Sequence, residues 1–300
     1  MKYHISIHIS PYEIDNYQTF IHQLRRNFNY IEDEIIFSPF LNLSHYFYNW
    51  DESHFSPDYF VSRFNELNNI VKEYCQLEEH VNFENLILGA FSYKTMFLNQ
   101  YKDEVDAFIW FDSDMLFPDN TVASLIASYK GVNDEHCIIT PQIHRLWDNT
   151  WDLLVNKKYI NTPASHSHYK GFDGYELFKL GDNLDLSVII NNKPFKFASG
   201  WCNLLSSGIF KDYISFDSSL GHYGPDDTFI MCLLDYYKFK QNKEINQYFI
   251  ENLVVTENYK FNLNQYKGYI TENKNILTKE DFSSDTKIAC HNRINKIVNE

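Results

Sequence analysis

At 300 residues the chain has room for one large domain or two modest ones, and 26 Lys+Arg against 40 Asp+Glu leave a formal charge of −14. That balance excludes a surface that is basic throughout, as a general nucleic-acid glove would be, although a local basic patch is compatible with it. A hydrophobic share of 44% excludes global disorder, and only 10 Gly and 8 Pro exclude a collagen-like or linker-dominated chain.

The N-terminal half alternates strand and helix signals. Tyr3 to Ile9 alternates apolar residues with His and Ser and reads as a strand that Pro11 ends. Tyr17, Phe20, Ile21, Leu24 and Phe28 then share one face of a helix. Ile35 to Leu43 reads as a second strand. Ser56-Pro57-Asp58 offers an N-cap with Pro in the first turn, and Phe60, Phe64, Leu67, Val71 and Tyr74 carry that helix onward. Leu86 to Ala90 reads as a short buried strand and Tyr93 to Tyr101 as its helix. Ala107 to Phe111 is a continuous apolar run of strand length. Pro118-Asp119-Asn120 starts another helix, with Val122, Leu125, Ile126 and Tyr129 on one face and Gly131 past its end. Cys137 to Thr140 is a further strand.

Trp147 to Asn192 is polar, aromatic and poorly periodic, which suits an acceptor-side loop region. Phe195 to Ser206 looks extended, Phe229, Cys232, Leu233 and Tyr236 suit a helix begun near Pro225, and a terminal helix is expected around Ile294 to Val298. Repeated βα units predict an α/β fold whose mostly parallel central sheet is flanked by helices, with a less regular C-terminal part. No repeat or linker divides it, so one domain over 1–300 is expected. The five cysteines, Cys75, Cys137, Cys202, Cys232 and Cys290, are scattered without a CxxC pair and read as reduced thiols. Met1 to Ile5 opens no signal-peptide core, and apolar runs such as Leu86 to Phe91 are too short for a bilayer, so a soluble, cytoplasmic protein is expected.

Chemistry concentrates in two acidic segments. Asp112-Ser113-Asp114 directly follows the buried run, so two carboxylates two residues apart stand at a strand's C-terminal end, where both can reach one hard divalent cation such as Mg²⁺ or Mn²⁺. Ligands of open α/β sheets collect at this edge. The second segment, Gly221-His222-Tyr223-Gly224-Pro225-Asp226-Asp227-Thr228-Phe229, puts two aspartates at a helix start, suited to capping or to taking a proton from an attacking hydroxyl. The chain holds 25 Phe, 22 Tyr and 5 Trp, which fits compositional bias or a surface that stacks on sugar faces.

The run Phe108 to Asp114 resembles the DxD strand of GT-A-type glycosyltransferases, and Gly200-Trp201 followed by Gly224 to Ile230 resembles their later Gly-Trp and Glu-Asp elements. The general likeness is to glycosyltransferase family 2 and spans most of residues 1 to 240. It implies a GT-A, Rossmann-like fold, with residues 1–130 as the nucleotide-sugar-binding half, 131–240 as the acceptor and catalytic half, and 241–300 as an extension. It further implies a metal-dependent enzyme moving a sugar from a nucleotide-diphosphate sugar, a UDP-sugar foremost, to a hydroxyl of a glycan or other acceptor, with inversion. Asp112 and Asp114 would hold Mn²⁺ or Mg²⁺. Ser10, Pro11, Tyr12, Lys94, Asp112 and Ser113 would meet the donor, and Gly200 and Trp201 the substrate. Asp227 would be the general base, with Asp226 where Glu is usual. His291 would be a further metal ligand, with His222 the runner-up and a pair at His166 and His168 less favoured. Trp147, Trp151 and Trp201 are candidates for acceptor stacking. The acidic balance disfavours nucleic acid as a partner. A non-catalytic carbohydrate-binding protein on a degenerate transferase scaffold and a nucleotidyltransferase are the competing readings.

Overall fold

The structure is a computed structural model and describes residues 1–44, 48–51, 53–83, 90–143, 189–191, 201–214, 226–243, 245–257, 268–272, 288–289, 291–297 and 299. Strand β1 (Lys2–Ile9) leads through a 3₁₀ turn, Pro11–Glu13, into α1 (Ile14–Asn27). Strand β2 (Glu34–Asn42) and the short β3 (Tyr48–Trp50) precede α2 (Pro57–Asn68). Then come β4 (Gln76–Leu77), β5 (His80–Asn82), α3 (Ala90–Tyr101), β6 (Ala107–Phe111), β7 (Met115–Leu116), α4 (Thr121–Val132) and β8 (Cys137–Ile143). The second half supplies β9 (Ile189–Asn191), β10 (Cys202–Ser206), α5 (Ser207–Asp212), α6 (Asp226–Gln241), β11 (Asn246–Glu257) and β12 (Ile270–Glu272).

The α/β class is as expected. The main sheet runs β4-β2-β1-β6-β10-β8-β11-β7, with β5 added on β2 and β9 on β11. Strand β1 lies parallel to both β2 and β6, with Ile7 opposite Pro39 and Phe111. Strand β10 enters antiparallel between β6 and β8, and β11 is again parallel to β8. An antiparallel strand thus sits in the middle of a sheet whose N-terminal part is wholly parallel. Strand β10 also begins at the edge where β6 ends, because Cys202 pairs with Phe111.

Both faces of the sheet are covered. On one, Phe20 of α1 packs against Phe37, Phe111 and Phe117, and Tyr3 meets Tyr129 of α4 edge-on. Burying each such side chain is worth about 1.5–3 kcal/mol. On the other, α3 covers the His and Ser positions of β1: His4 stacks on Tyr101 and touches Phe97, while His8 stacks on Tyr93. The alternation in β1 therefore separates two buried faces, one apolar and one polar. On the polar side His4 Nε2 lies 2.9 Å from Ser38 Oγ, while the buried His4 Nδ1 and Ser6 Oγ find no hydrogen-bond partner among the described residues.

Several element ends differ from the periodicity. Helix α2 stops at Asn68, so Val71 and Tyr74 lie in the turn beyond it. Val71 is nevertheless buried in the core, and Tyr74 is exposed beneath the Arg25 guanidinium. Gly131 is inside α4, whose stop is Asn133, held left-handed at φ 49° with its N–H donating to Tyr129 O. Asn shares with Gly the ability to occupy that region. Residues 291–297 are helical, matching the expected terminal helix. The expected strand at 86–90 falls almost wholly outside the described residues, as does most of 147–192.

Candidate functional site at the carboxyl edge of the sheet

The parallel pairing of β1 with β6 and the antiparallel entry of β10 collect three chain turns at one edge. Ser10 follows β1, Asp112 follows β6, and Trp201 precedes β10. Asp112 N–H donates to Trp201 O at 3.1 Å, which ties the acidic turn to the strand beside it. Strand β7 then pairs with the far end of β11, Met115 opposite Glu257 and Leu116 opposite Thr256. The acidic turn is therefore held on both sides: by β10 at Asp112 and by β11 at Met115.

Helix α1 secures the chain from Phe117 to Val122, just past the acidic turn. Gln23 Nε2 donates to Phe117 O at 2.9 Å, and Asn27 Nδ2 donates to Pro118 O at 3.1 Å. Asn27 Oδ1 accepts from Val122 N–H at 2.9 Å, capping α4 from a neighbouring helix, and Arg26 pairs with Asp119 at 2.6 Å. Asn27 is fully buried, so its bonds have no water as a substitute, whereas the Arg26–Asp119 pair is exposed.

Within the turn, Asp112 is exposed, Ser113 buried and Asp114 half-buried. Burial, then the charge of Asp112, then that of Glu13 push the Asp114 carboxyl up to about 7. Burial and, secondarily, the Asp112 charge also push the Cys202 thiol well above its usual range. Glu13 comes from the turn after β1, where its Oε2 accepts from Ser10 N–H at 2.8 Å. Ser10 and Pro11 are buried and Tyr12 is packed on the core. Lys94 of α3 is only 3% exposed, with Nζ 4.5 Å from the Trp110 ring centroid and 6.0 Å from that of Tyr93. Trp110 and Asp112 are two residues apart along β6 and its extension, hence on the same side of the sheet.

The remaining expected residues are less well joined to this group. Asp226 and Asp227 occupy the first turn of α6. The short link from α6 into β11 puts the helix C-terminus near the start of β11. Its Phe229, Ile230, Leu233 and Leu234 are buried in the core. Trp201 is buried, while His291 is exposed on the terminal helix. Gly200, His222, His166, His168, Trp147 and Trp151 lie outside the described residues. Among the described residues, no three His, Cys, Asp or Glu side chains form a group that could hold a metal ion. Cys75, Cys137 and Cys202 are free thiols, and no described helix is long and apolar enough to cross a membrane.

Two features escaped the sequence reading. One is Glu13, which the Ser10-Pro11-Tyr12-Glu13 pattern announces as a capping box. The other is an amide group at the same edge: Asn82 Nδ2 donates to Asn42 Oδ1 at 3.2 Å, and His8 Nε2 lies 3.3 Å from Asn42 Nδ2. No sequence signal marks that second group, because β5, which carries Asn82, is only three residues long.

No protein-family model matches the chain, and no curated protein matches it significantly. Among solved structures it is similar to S. aureus TarS 1-349, at 11% identity and a TM-score of 0.48 over 85% of this chain and 60% of that one. It is similar to GalNAc-T7 solved with UDP, GalNAc and Mn²⁺, at 11% identity and a TM-score of 0.46 over 86% of this chain and 44% of that one. TarS 1-349 in complex with UDP-GlcNAc gives 11% identity and a TM-score of 0.44 over 83% and 58%. The chain thus spans less than two thirds of each of these proteins. Similarity at this level concerns the path of the chain and assigns no chemistry.

Proposed function

We propose that the chain is a metal-dependent glycosyltransferase of GT-A type, moving a sugar from a nucleotide-diphosphate sugar to an acceptor hydroxyl with inversion. The observation that carries this reading is the Asp112-Ser113-Asp114 turn at the C-terminal end of a buried central strand, tied to β10 and β11 on either side. The donor set suits a hard divalent cation. Two carboxylates stand at one strand end, and one is pushed up by burial and by two neighbouring acids, an excess of negative charge that a cation balances. Asp112 and Asp114 would hold Mn²⁺ or Mg²⁺, with further ligands supplied by phosphate oxygens and water, as is usual for Mg²⁺.

When bound, such an ion supplies Lewis-acid stabilisation of a departing diphosphate. The protein's own groups do the rest. The turn Ser10-Pro11-Tyr12 and Ser113 would contact the nucleotide and its phosphates. The Lys94 ammonium, held under Trp110, adds a fixed positive charge on that side of the edge. Asp227 would accept the proton of the attacking hydroxyl at a carboxylate oxygen, with Asp226 beside it, and attack opposite the leaving group inverts the anomeric centre. Gly200 and Trp201 would line the substrate side, and His291 would be a further metal ligand.

Binding decides the matter. Calorimetry with UDP and other nucleoside diphosphates, with and without Mn²⁺, should show metal-dependent binding that Asp112→Ala and Asp114→Ala each abolish. Unchanged metal-dependent binding in both variants would rule the reading out.

A further inference from the structure

We propose that Glu13 is a positioning residue for the cation edge: its side chain closes the turn after β1 and sets the charge facing Asp112-Ser113-Asp114, so it governs cation affinity without being a ligand. This rests on the reading of that edge as a cation and diphosphate site.

The geometry is local and specific. Ser10 N–H donates to Glu13 Oε2 at 2.8 Å, and Glu13 N–H donates to Ser10 O at 2.9 Å, so the two ends of the turn are bonded in both directions. Pro11 fixes one backbone angle between them. The β1–β6 ladder puts Ile7 opposite Phe111, and three residues beyond that pair stand Ser10 on one chain segment and Asp114 on the other. The closed turn and the acidic turn are therefore neighbours on the same edge. No three described acidic side chains form a group that could hold one ion, so Glu13 acts through the turn and through its field. A further carboxylate on the edge that carries the acidic turn strengthens attraction for a divalent cation, and neutralising it weakens that attraction.

The two contributions separate in variants. Glu13→Gln keeps an oxygen for Ser10 N–H and removes the charge, whereas Glu13→Ala removes both. Mn²⁺ alone is titrated into each protein and free Mn²⁺ is followed by electron paramagnetic resonance. UDP binding is then measured by calorimetry at saturating Mn²⁺. For E13Q the Mn²⁺ midpoint should rise on the order of fivefold, with UDP affinity at saturating Mn²⁺ unchanged. For E13A both should weaken. An unchanged Mn²⁺ midpoint in E13Q overturns the proposal, as does equal loss of UDP affinity in the two variants, or a wild-type chain that takes up no Mn²⁺. A collapse of the E13Q unfolding temperature also overturns it, by reducing the carboxylate to a folding role. A wild-type chain that binds Mn²⁺ but not UDP removes the transferase reading and leaves the Mn²⁺ comparison to stand or fall by itself.

Discussion

Asn27 shows how a single buried amide reaches the site from outside it. Its side chain bonds Gln23 O at 3.0 Å, Pro118 O at 3.1 Å and Val122 N–H at 2.9 Å, joining α1 to the segment that leaves the acidic turn. Asn27→Ala strands the buried Val122 N–H, a loss worth about 1–3 kcal/mol, whereas Pro118 O still accepts from Thr121 N–H and Oγ1. Denaturant unfolding should therefore show a loss of about 1–3 kcal/mol, with donor affinity falling less than in the Asp112 and Asp114 variants. Asp227 belongs to the chemical step. Asp227→Asn should lower kcat by about 10²–10⁴-fold while leaving UDP binding intact, as expected for loss of a general base. Retained turnover in steady-state kinetics would move that role to Asp226 or exclude an inverting mechanism.

Among the elements, α4 and α5 are set by close fits rather than by pattern strength. Asn133 ends α4 at φ 49°, a region where glycine has no side-chain penalty. Asn133→Gly should hold or raise stability by up to ~1 kcal/mol, read as a higher unfolding temperature. At Gly208, in the first turn of α5, a Cβ would collide with the backbone carbonyl oxygen of Glu135, just ahead of β8. Gly208→Ala must push α5 from the start of β8 and should cost about 1–3 kcal/mol in denaturant unfolding. Strand β10 links α5 to the acidic turn, since α5 directly follows its last residue, Ser206, and its first residue, Cys202, pairs with Phe111. Disturbing its far end is therefore a way to loosen the edge where Asp112 is tied.

At the scale of the whole molecule, the buried polar face of the sheet makes stability depend on pH. His4 is fully buried, and burial, followed by the charge of His80, pushes its imidazole down to about 3. The unfolded chain binds that proton from about pH 6.5 downward and the folded chain does not, so the contribution is complete above pH 6.5 and is lost as pH falls toward 3. Unfolding free energy should decline by up to about 1.4 kcal/mol per pH unit through that window from this group alone. His4→Phe should flatten the slope, while losing the bond to Ser38 lowers stability at neutral pH. An unaltered slope in His4→Phe would show that other groups set the acid limit.

Read from the sequence alone, the α/β class follows from short-range signals: the period-2 run of β1, the 3.6-period faces of α1 and α2, and Ser56 before Pro57, which caps α2 by accepting from Tyr59 N–H at 3.3 Å. Asp112-Ser113-Asp114 was legible as a candidate because an apolar strand runs straight into it, and Glu13 could have been read from its spacing to Ser10. The antiparallel entry of β10, the twelve-residue β11 in the sheet, and the meeting of Trp201 O with Asp112 N–H were not legible. Local sequence determines what each segment can be, because neighbouring residues share a helix turn or a pleat. Which segments become neighbours across ninety residues depends on hydrogen-bond partners and packing surfaces that exist only once the sheet is assembled, and that assembly is what gathered the turns of β1, β6 and β10 at one edge.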